Sequence, residues 1–205
     1  MNNNATTVYV IDDDDAVRES LSWLLESVGL KVETYADARS FLAHITTSQT
    51  NGCVVTDVRM PGMSGLELQT ELTERQIGLP VIIITGHGDV PMAVRAMKSG
   101  AYDFIEKPFN DQELLERVQR CLQQQQEQNA HTATRSFVLN KMERLTAREQ
   151  EVLGMVVDGL SSRVIGDQLG ISSKTVEVHR AKIMDKMGAD SVASLVRMAM
   201  LASIG

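Results

Sequence analysis

The sequence predicts an α/β doubly wound domain built on a five-stranded parallel sheet, followed by a small all-α domain of four helices. Three observations carry this. Five short β-branched runs alternate with segments of helical spacing in the first part of the chain. The polar residues able to do chemistry fall directly after those runs. Beyond residue 140 no such run recurs, and Ser or Thr starts with Gly stops mark out short helices instead.

The elements follow in order. Val8–Ile11 is the first run, and Ala16–Val28 follows it with Val17, Leu21, Leu24, Leu25 and Val28 on one helical stripe. Asp14 and Asp15 sit where the caps of that helix belong. The next pairs are Val32–Tyr35 with Ala38–Thr46, Val54–Thr56 with Gly65–Glu74, and Val81–Thr85 with Val90–Ser99. Phe104–Ile105 with Asp111–Cys121 completes the set. Val81-Ile82-Ile83-Ile84 is apolar at every position, as a central parallel strand covered on both faces requires. Strands alternating with helices dictate such a sheet, and its ligands bind at the carboxyl ends of the strands.

We place the first domain at residues 1–122, a linker at 123–139 and the second domain at 140–205. The linker opens on the tract Gln123–Gln126 and stays polar through Thr134, a composition without a core. Its start can continue the preceding helix, which makes it a semi-rigid tether. Thr146-Ala147-Arg148-Glu149 is a capping box that opens a helix over Ala147–Asp158. Ser161 or Ser162 starts the next, to Leu169; Ser172 or Ser173 starts the third, to Met187; Ser191 starts the last, to Ala202.

Composition sets bounds. The net charge of -7 is unevenly divided, with 10 Lys and Arg against 19 Asp and Glu in residues 1–127, and 10 against 8 in residues 128–205. An acidic half joined to a slightly basic half points to two domains with different partners. Cys53 and Cys121 lie in no metal or redox spacing; Cys53 leads into an apolar run and reads as a small core residue, and reduced thiols fit a cytoplasmic protein. The start of the chain lacks the basic and apolar regions of a signal peptide, and no apolar stretch reaches the ~20 residues of a membrane span.

The site chemistry follows from residue types. Asp12 and Asp13 come after the first run, Asp57 after the third, Thr85 ends the fourth and Lys107 follows the fifth, so one sheet edge gathers them all. Three carboxylates brought together repel one another, and a divalent cation with oxygen ligands, Mg²⁺, offsets that repulsion. A carboxylate also forms acyl phosphates, which makes Asp57 the candidate phospho-acceptor. Lys107 would neutralise phosphoryl charge, and the Thr85 hydroxyl would donate to a phosphoryl oxygen and so move a loop. Taken singly, each residue is equally well a turn or cap residue; the joint placement is what distinguishes the functional reading.

In the helical half, the second and third helices have the lengths of a helix–turn–helix. Val176, Ile183 and Met187 share a core stripe on the third helix, with His179 or Arg180 near its edge. Lys174, Glu177, Val178 and Ala181 lie opposite and present groups able to read bases. Thr175, Arg180, Lys182 and Lys186 are placed for phosphates. On spacing alone a packing helix with a solvated charged face remains an equal alternative.

Val-Ile-Asp-Asp-Asp, Thr-Asp-Val-Arg-Met-Pro-Gly-Met-Ser-Gly, Ile-Ile-Thr-Gly-His-Gly-Asp-Val and Phe-Ile-Glu-Lys-Pro-Phe resemble the flavodoxin-like receiver domain of two-component response regulators, over residues 5–122. The resemblance implies metal contacts from Asp12, Asp13, Asp57 and the carbonyl of Arg59. It also implies switch roles for Thr85 and Phe104, phosphoryl contact by Lys107, and a cis Lys107–Pro108 bond. Phe104 stands where many receivers have Tyr, so a ring swing remains possible without a phenol hydrogen bond. Leu145–Leu153, Gly159, Ile171–His179 and Lys186-Met-Gly resemble the LuxR-type helix–turn–helix, over residues 140–203. Gly166 stands where Ala is usual, and this is expected to loosen that helix slightly. The order of the domains resembles the NarL/FixJ class, with Thr-Gly-His-Gly-Asp-Val and Val-Glu-Val-His-Arg most like its nitrogen-fixation branch. That branch implies a phosphorylation-activated transcriptional activator and a sensor histidine kinase that detects oxygen through haem, as FixL does. It further implies promoter DNA and RNA polymerase as partners, and a homodimer formed on phosphorylation. It is not an enzyme in the ordinary sense, although a receiver accepts phosphate and can remove its own. The rival readings are a phosphate-independent regulator with a metal-stabilised acidic pocket, a phosphotransferase or phosphatase, and a protein-binding module.

Overall fold

The protein is described here by a computed structural model covering residues 6–45, 51–86 and 90–203. The chain divides into two compact units, Met1–Gln128 and Asn129–Gly205. In the first, β1 (Thr7–Ile11), β2 (Lys31–Tyr35), β3 (Gly52–Asp57), β4 (Val81–Thr85) and β5 (Asp103–Glu106) form one sheet in the order β2-β1-β3-β4-β5. Every pairing in it is parallel. Between the strands run α1 (Asp15–Ser27), α2 (Ala38–His44), α3 (Gly65–Glu74) and α4 (Val90–Lys98). The predicted end of α2 at Thr46 and the residues His87, Gly88 and Asp89 lie outside the described residues.

Side chains alternate across the sheet, as a strand's period of two requires. Tyr9, Ile11, Val54, Val81 and Ile83 pack with Phe41, Leu68, Leu72 and Ala96 in one core layer. Val8, Val10, Cys53, Val55, Ile82, Ile84 and Ile105 pack with Leu21, Leu25, Leu114, Val118 and Cys121 in the other. Both cysteines are free and buried, and a hydrogen bond with Cys121, together with burial, pushes the Cys53 thiol well up. Asp14 is the N-cap of α1, accepting from the amides of Ala16 and Val17, while Asp15 is the first helical residue. Ser64 and Glu67 form a full capping box on α3.

The segment expected as a linker is helical throughout, because α5 runs over Asp111–Met142. Its middle is anchored as well as helical. Gln125 is buried; its Oε1 accepts from the Gly52 amide at 2.7 Å, and its Nε2 donates to the Gly78 carbonyl at 3.1 Å. Gln126 Nε2 donates to Thr6 Oγ1 at 3.2 Å. These bonds close the amino-terminal edge of the sheet, opposite the edge that carries Asp57.

The second unit takes Val138 and Met142 from α5 and adds α6 (Ala147–Val157), α7 (Ser162–Leu169), α8 (Ser173–Met187) and α9 (Val192–Ser203). The predicted capping box of Thr146 and Glu149 is present in both directions. Ser161 and Ser172 cap α7 and α8 at their starts, and left-handed Gly170 and Gly188 close them. Val152, Leu153, Ile165, Val176, Ile183 and Met187 form the centre of its core. Gly166 does more than lengthen a list of weak helix formers. A β-carbon there would lie 2.7 Å from the Ile171 carbonyl oxygen, so the turn between α7 and α8 passes closer than a side chain permits.

Candidate functional site

Parallel strands bring Ile11 and Thr56 into register, so Asp12 and Asp57 leave neighbouring strands side by side. Carboxylate oxygens of Asp12, Asp13 and Asp57 all lie within 4.8 Å of one another. Asp12 is buried, Asp57 is half-buried and Asp13 is exposed. Asp12 Oδ1 accepts from the Asp14 amide at 3.0 Å, and Arg18 donates to the Asp12 carbonyl at 2.5 Å. The Val58 amide donates to Asp57 Oδ1 at 2.8 Å. Burial pushes the Asp57 carboxyl above its usual range; Lys107 pulls it down, and the Asp12 charge pushes it up again. Three hard oxygen donors on one edge, with one carboxyl raised chiefly by burial, fit a divalent cation such as Mg²⁺.

Lys107 reaches the cluster from β5 and places Nζ 3.1 Å from Asp12 Oδ2. Its amide donates to the Thr85 carbonyl at 2.7 Å, which ties the loop after β5 to the end of β4. The Lys107–Pro108 bond is cis. Thr85 is buried. Phe104 pairs with Ile83 across the sheet and is half-buried against the same layer as Met92 of α4. A groove of about 380 Å³ runs from Lys107, Pro108 and Phe109 along Val17, Ser20 and Leu24 of α1.

In the helical unit, Val176, Ile183 and Met187 are fully buried, while Lys174, Thr175, Glu177, Val178, Ala181 and Lys182 are exposed on α8. Val178 is half exposed. Arg180 and His179 are half-buried. Lys186, placed by spacing among the phosphate contacts, instead turns inward. Its Nζ lies 2.6 Å from Glu149 Oε2 and donates to the Arg144 carbonyl at 3.2 Å. That pair, with the Thr146 amide, holds the Glu149 carboxyl down to about 2.

Three contributors escaped the sequence reading. Gly65 starts α3 so close to β3 that a β-carbon would lie 2.3 Å from the Asp57 carbonyl oxygen. Arg18 supports Asp12 from α1. Ser162, at the start of α7, bonds both Glu177 and Arg180 of α8. Only α3 had a local signal, the Ser-x-x-Glu of its capping box.

Comparison with known proteins covers both units. Residues 8–119 match the response regulator receiver domain, and residues 143–199 match the luxR family of bacterial regulatory proteins. The transcriptional regulatory protein FixJ of Azorhizobium caulinodans is 52% identical over 198 residues, 96% of this chain and 93% of its own. The transcriptional regulatory protein TdiR of Thauera aromatica is 44% identical over 200 residues, 98% of this chain and 88% of its own. The solved structure of the response regulator StyR superposes with a TM-score of 0.85 at 46% identity, covering 96% of this chain and 98% of that one.

Proposed function

The chain belongs to the two-component response regulators of the NarL/FixJ class, a receiver joined to a LuxR-type DNA-binding domain, and from that premise we propose that phosphate on Asp57 drives its dimerisation and promoter binding. A response regulator of this kind works with a sensor histidine kinase and with promoter DNA. The observation that carries the finer reading is the cluster of Asp12, Asp13 and Asp57 with Lys107 bonded into it.

Asp12, Asp13, Asp57 and the Arg59 carbonyl are the residues that would hold Mg²⁺, which screens the charge of the incoming phosphoryl group. Asp57 attacks the phosphorus of a kinase phosphohistidine; the N–P bond breaks and an acyl phosphate forms. The groove beside Lys107 on α1 is an apolar surface against which a phosphate donor can rest. Thr85 and Lys107 take up the new phosphoryl oxygens, and Phe104 moves with them. That rearrangement alters α4, where Val90, Val94 and Met97 form an exposed apolar stripe at helical spacing. We assign this stripe to the face of a two-fold dimer, which matches two DNA half-sites. In the helical unit Lys174, Glu177, Val178 and Ala181 read bases, while Thr175, Arg180 and Lys182 bind phosphates.

We read the protein as cytoplasmic, as suits a DNA-binding regulator; among the described residues no helix is long and apolar enough to cross a membrane. We read its targets as nitrogen-fixation genes activated through RNA polymerase, with a FixL-like haem oxygen sensor as donor; what supports this finer reading is the likeness to a transcriptional regulatory protein, FixJ. TdiR, almost as similar over the whole chain, favours a second reading in which the same machinery serves other targets. The acyl phosphate is also lost to water, so the receiver limits its own signal.

Acetyl phosphate with Mg²⁺, followed by mass from light scattering, tests the reading. Wild type is expected to pass from monomer to dimer and Asp57→Asn to stay monomeric. A dimer formed equally by Asp57→Asn overturns it.

A further inference from the structure

We propose that Ser162, outside the recognition helix, sets which base Glu177 reads by holding its carboxylate and Arg180 in a fixed chain. This rests on α8 being the DNA-reading helix. Ser162 is the first residue of α7, directly after the capping Ser161. Arg180 NH1 donates to Ser162 Oγ at 2.9 Å, and Ser162 Oγ donates to Glu177 Oε1.

The polarity of this chain is forced. A guanidinium only donates and a carboxylate only accepts, so the single hydroxyl hydrogen must point to Glu177 and a lone pair must face Arg180. The bond to Glu177 is charge-assisted, and the chain spans two helices. Glu177 and Arg180 are three residues apart on one helix, which is the spacing of a direct ion pair. The Ser162 hydroxyl sits between them and occupies one oxygen of the carboxylate.

Two consequences follow. Glu177 keeps its second oxygen for a donor in the major groove, and the chemistry that suits it is the N4 amino group of cytosine. Arg180 keeps its remaining N–H groups for a phosphate. Without the hydroxyl, Glu177 and Arg180 collapse onto each other and both withdraw from DNA. Ser162 is therefore a positioning residue, acting through Glu177 and Arg180 rather than on the bases.

The test is selection of binding sites from a random-sequence duplex library by the full-length protein treated with acetyl phosphate and Mg²⁺. Wild type, Ser162→Ala, Ser162→Thr and Glu177→Ala are compared, each checked by thermal melting. Wild type is expected to select a defined site with one strongly preferred cytosine per half-site. Ser162→Ala should lose preference at that same base pair by roughly tenfold, as Glu177→Ala does, with other positions unchanged. Ser162→Thr keeps a hydroxyl and should restore it, a rescue that stands even where the Ala variant folds poorly. Equal loss at every position with Ser162→Ala, no change, or failure of Ser162→Thr to rescue overturns the proposal. A wild type that selects no sequence overturns the DNA-reading assignment of α8 and the proposal with it. A wild type that selects a site while Ser162→Ala keeps its profile overturns the proposal alone.

Discussion

At the scale of single residues, Asp57 and Glu149 are carboxylates pushed in opposite directions, and their effects on stability have opposite signs. Burial and the Asp12 charge raise Asp57. The folded protein therefore binds that proton more tightly than the unfolded chain, and ionising it costs stability at neutral pH. The cost is relieved as pH falls through the raised value toward 3.8, the ordinary one. Asp57→Asn removes the charge, so the receiver transition in calorimetry should rise at pH 7, and added Mg²⁺ should raise it in wild type but much less in the variant. Glu149 is the reverse case: Lys186 and the Thr146 amide hold it down to about 2. Its contribution is complete above the ordinary value of 4.5 and is lost as pH falls toward about 2. The melting difference between wild type and Glu149→Gln in the helical unit should accordingly be large at pH 6 and shrink at pH 3.

At the scale of elements, α3 and α5 are placed by contacts that local sequence does not announce. α3 begins against β3 because Gly65 has no β-carbon to strike the Asp57 carbonyl oxygen. Gly65→Ala must displace either the helix or Asp57. An ångström of misplacement costs on the order of a hundredfold in rate, so its phosphorylation by acetyl phosphate should slow by at least about tenfold. α5 is fastened at its middle by Gln125, whose two bonds reach Gly52 and Gly78. Gln125→Ala strands a buried amide and a carbonyl, and should destabilise the receiver by about 2–3 kcal/mol in urea titration.

These elements also show what the sequence reveals and what it hides. The strands, the gathering of Asp12, Asp13, Asp57, Thr85 and Lys107 on one edge, and the Thr146–Glu149 box were legible, since each rests on a short period or a fixed local spacing. Gln125 was not, because a Gln in a polar tract looks the same whether solvated or bonded to backbone far away in sequence. Lys186 was read as a phosphate contact for a related reason: helical phase placed it near the surface, while its partner Glu149 lies on another helix. The Ser162 link to Glu177 and Arg180 spans two helices and has no sequence period.

At the scale of the whole molecule, the acidic receiver and the helical unit are two compact bodies with separate cores, and in our proposal the task of passing on the phosphate signal falls to a receiver surface. The stripe of Val90, Val94 and Met97 on α4 is the surface we assign to that task, and Val90 is 77% exposed. Val94→Asp places a charge in the middle of that stripe. It should leave phosphorylation of Asp57 unchanged, as seen by intact mass, and abolish the dimer in light scattering. Loss of phosphorylation in that variant would show that the stripe serves the acceptor site instead.

The most direct test is DNA affinity measured by fluorescence anisotropy against the fraction of protein phosphorylated, on a site selected by wild type, at constant salt. Affinity should rise steeply with phosphate occupancy for wild type, and Asp57→Asn should stay at the unphosphorylated level under the same donor. Equal affinity of both proteins with and without donor would contradict phosphate on Asp57 as the switch.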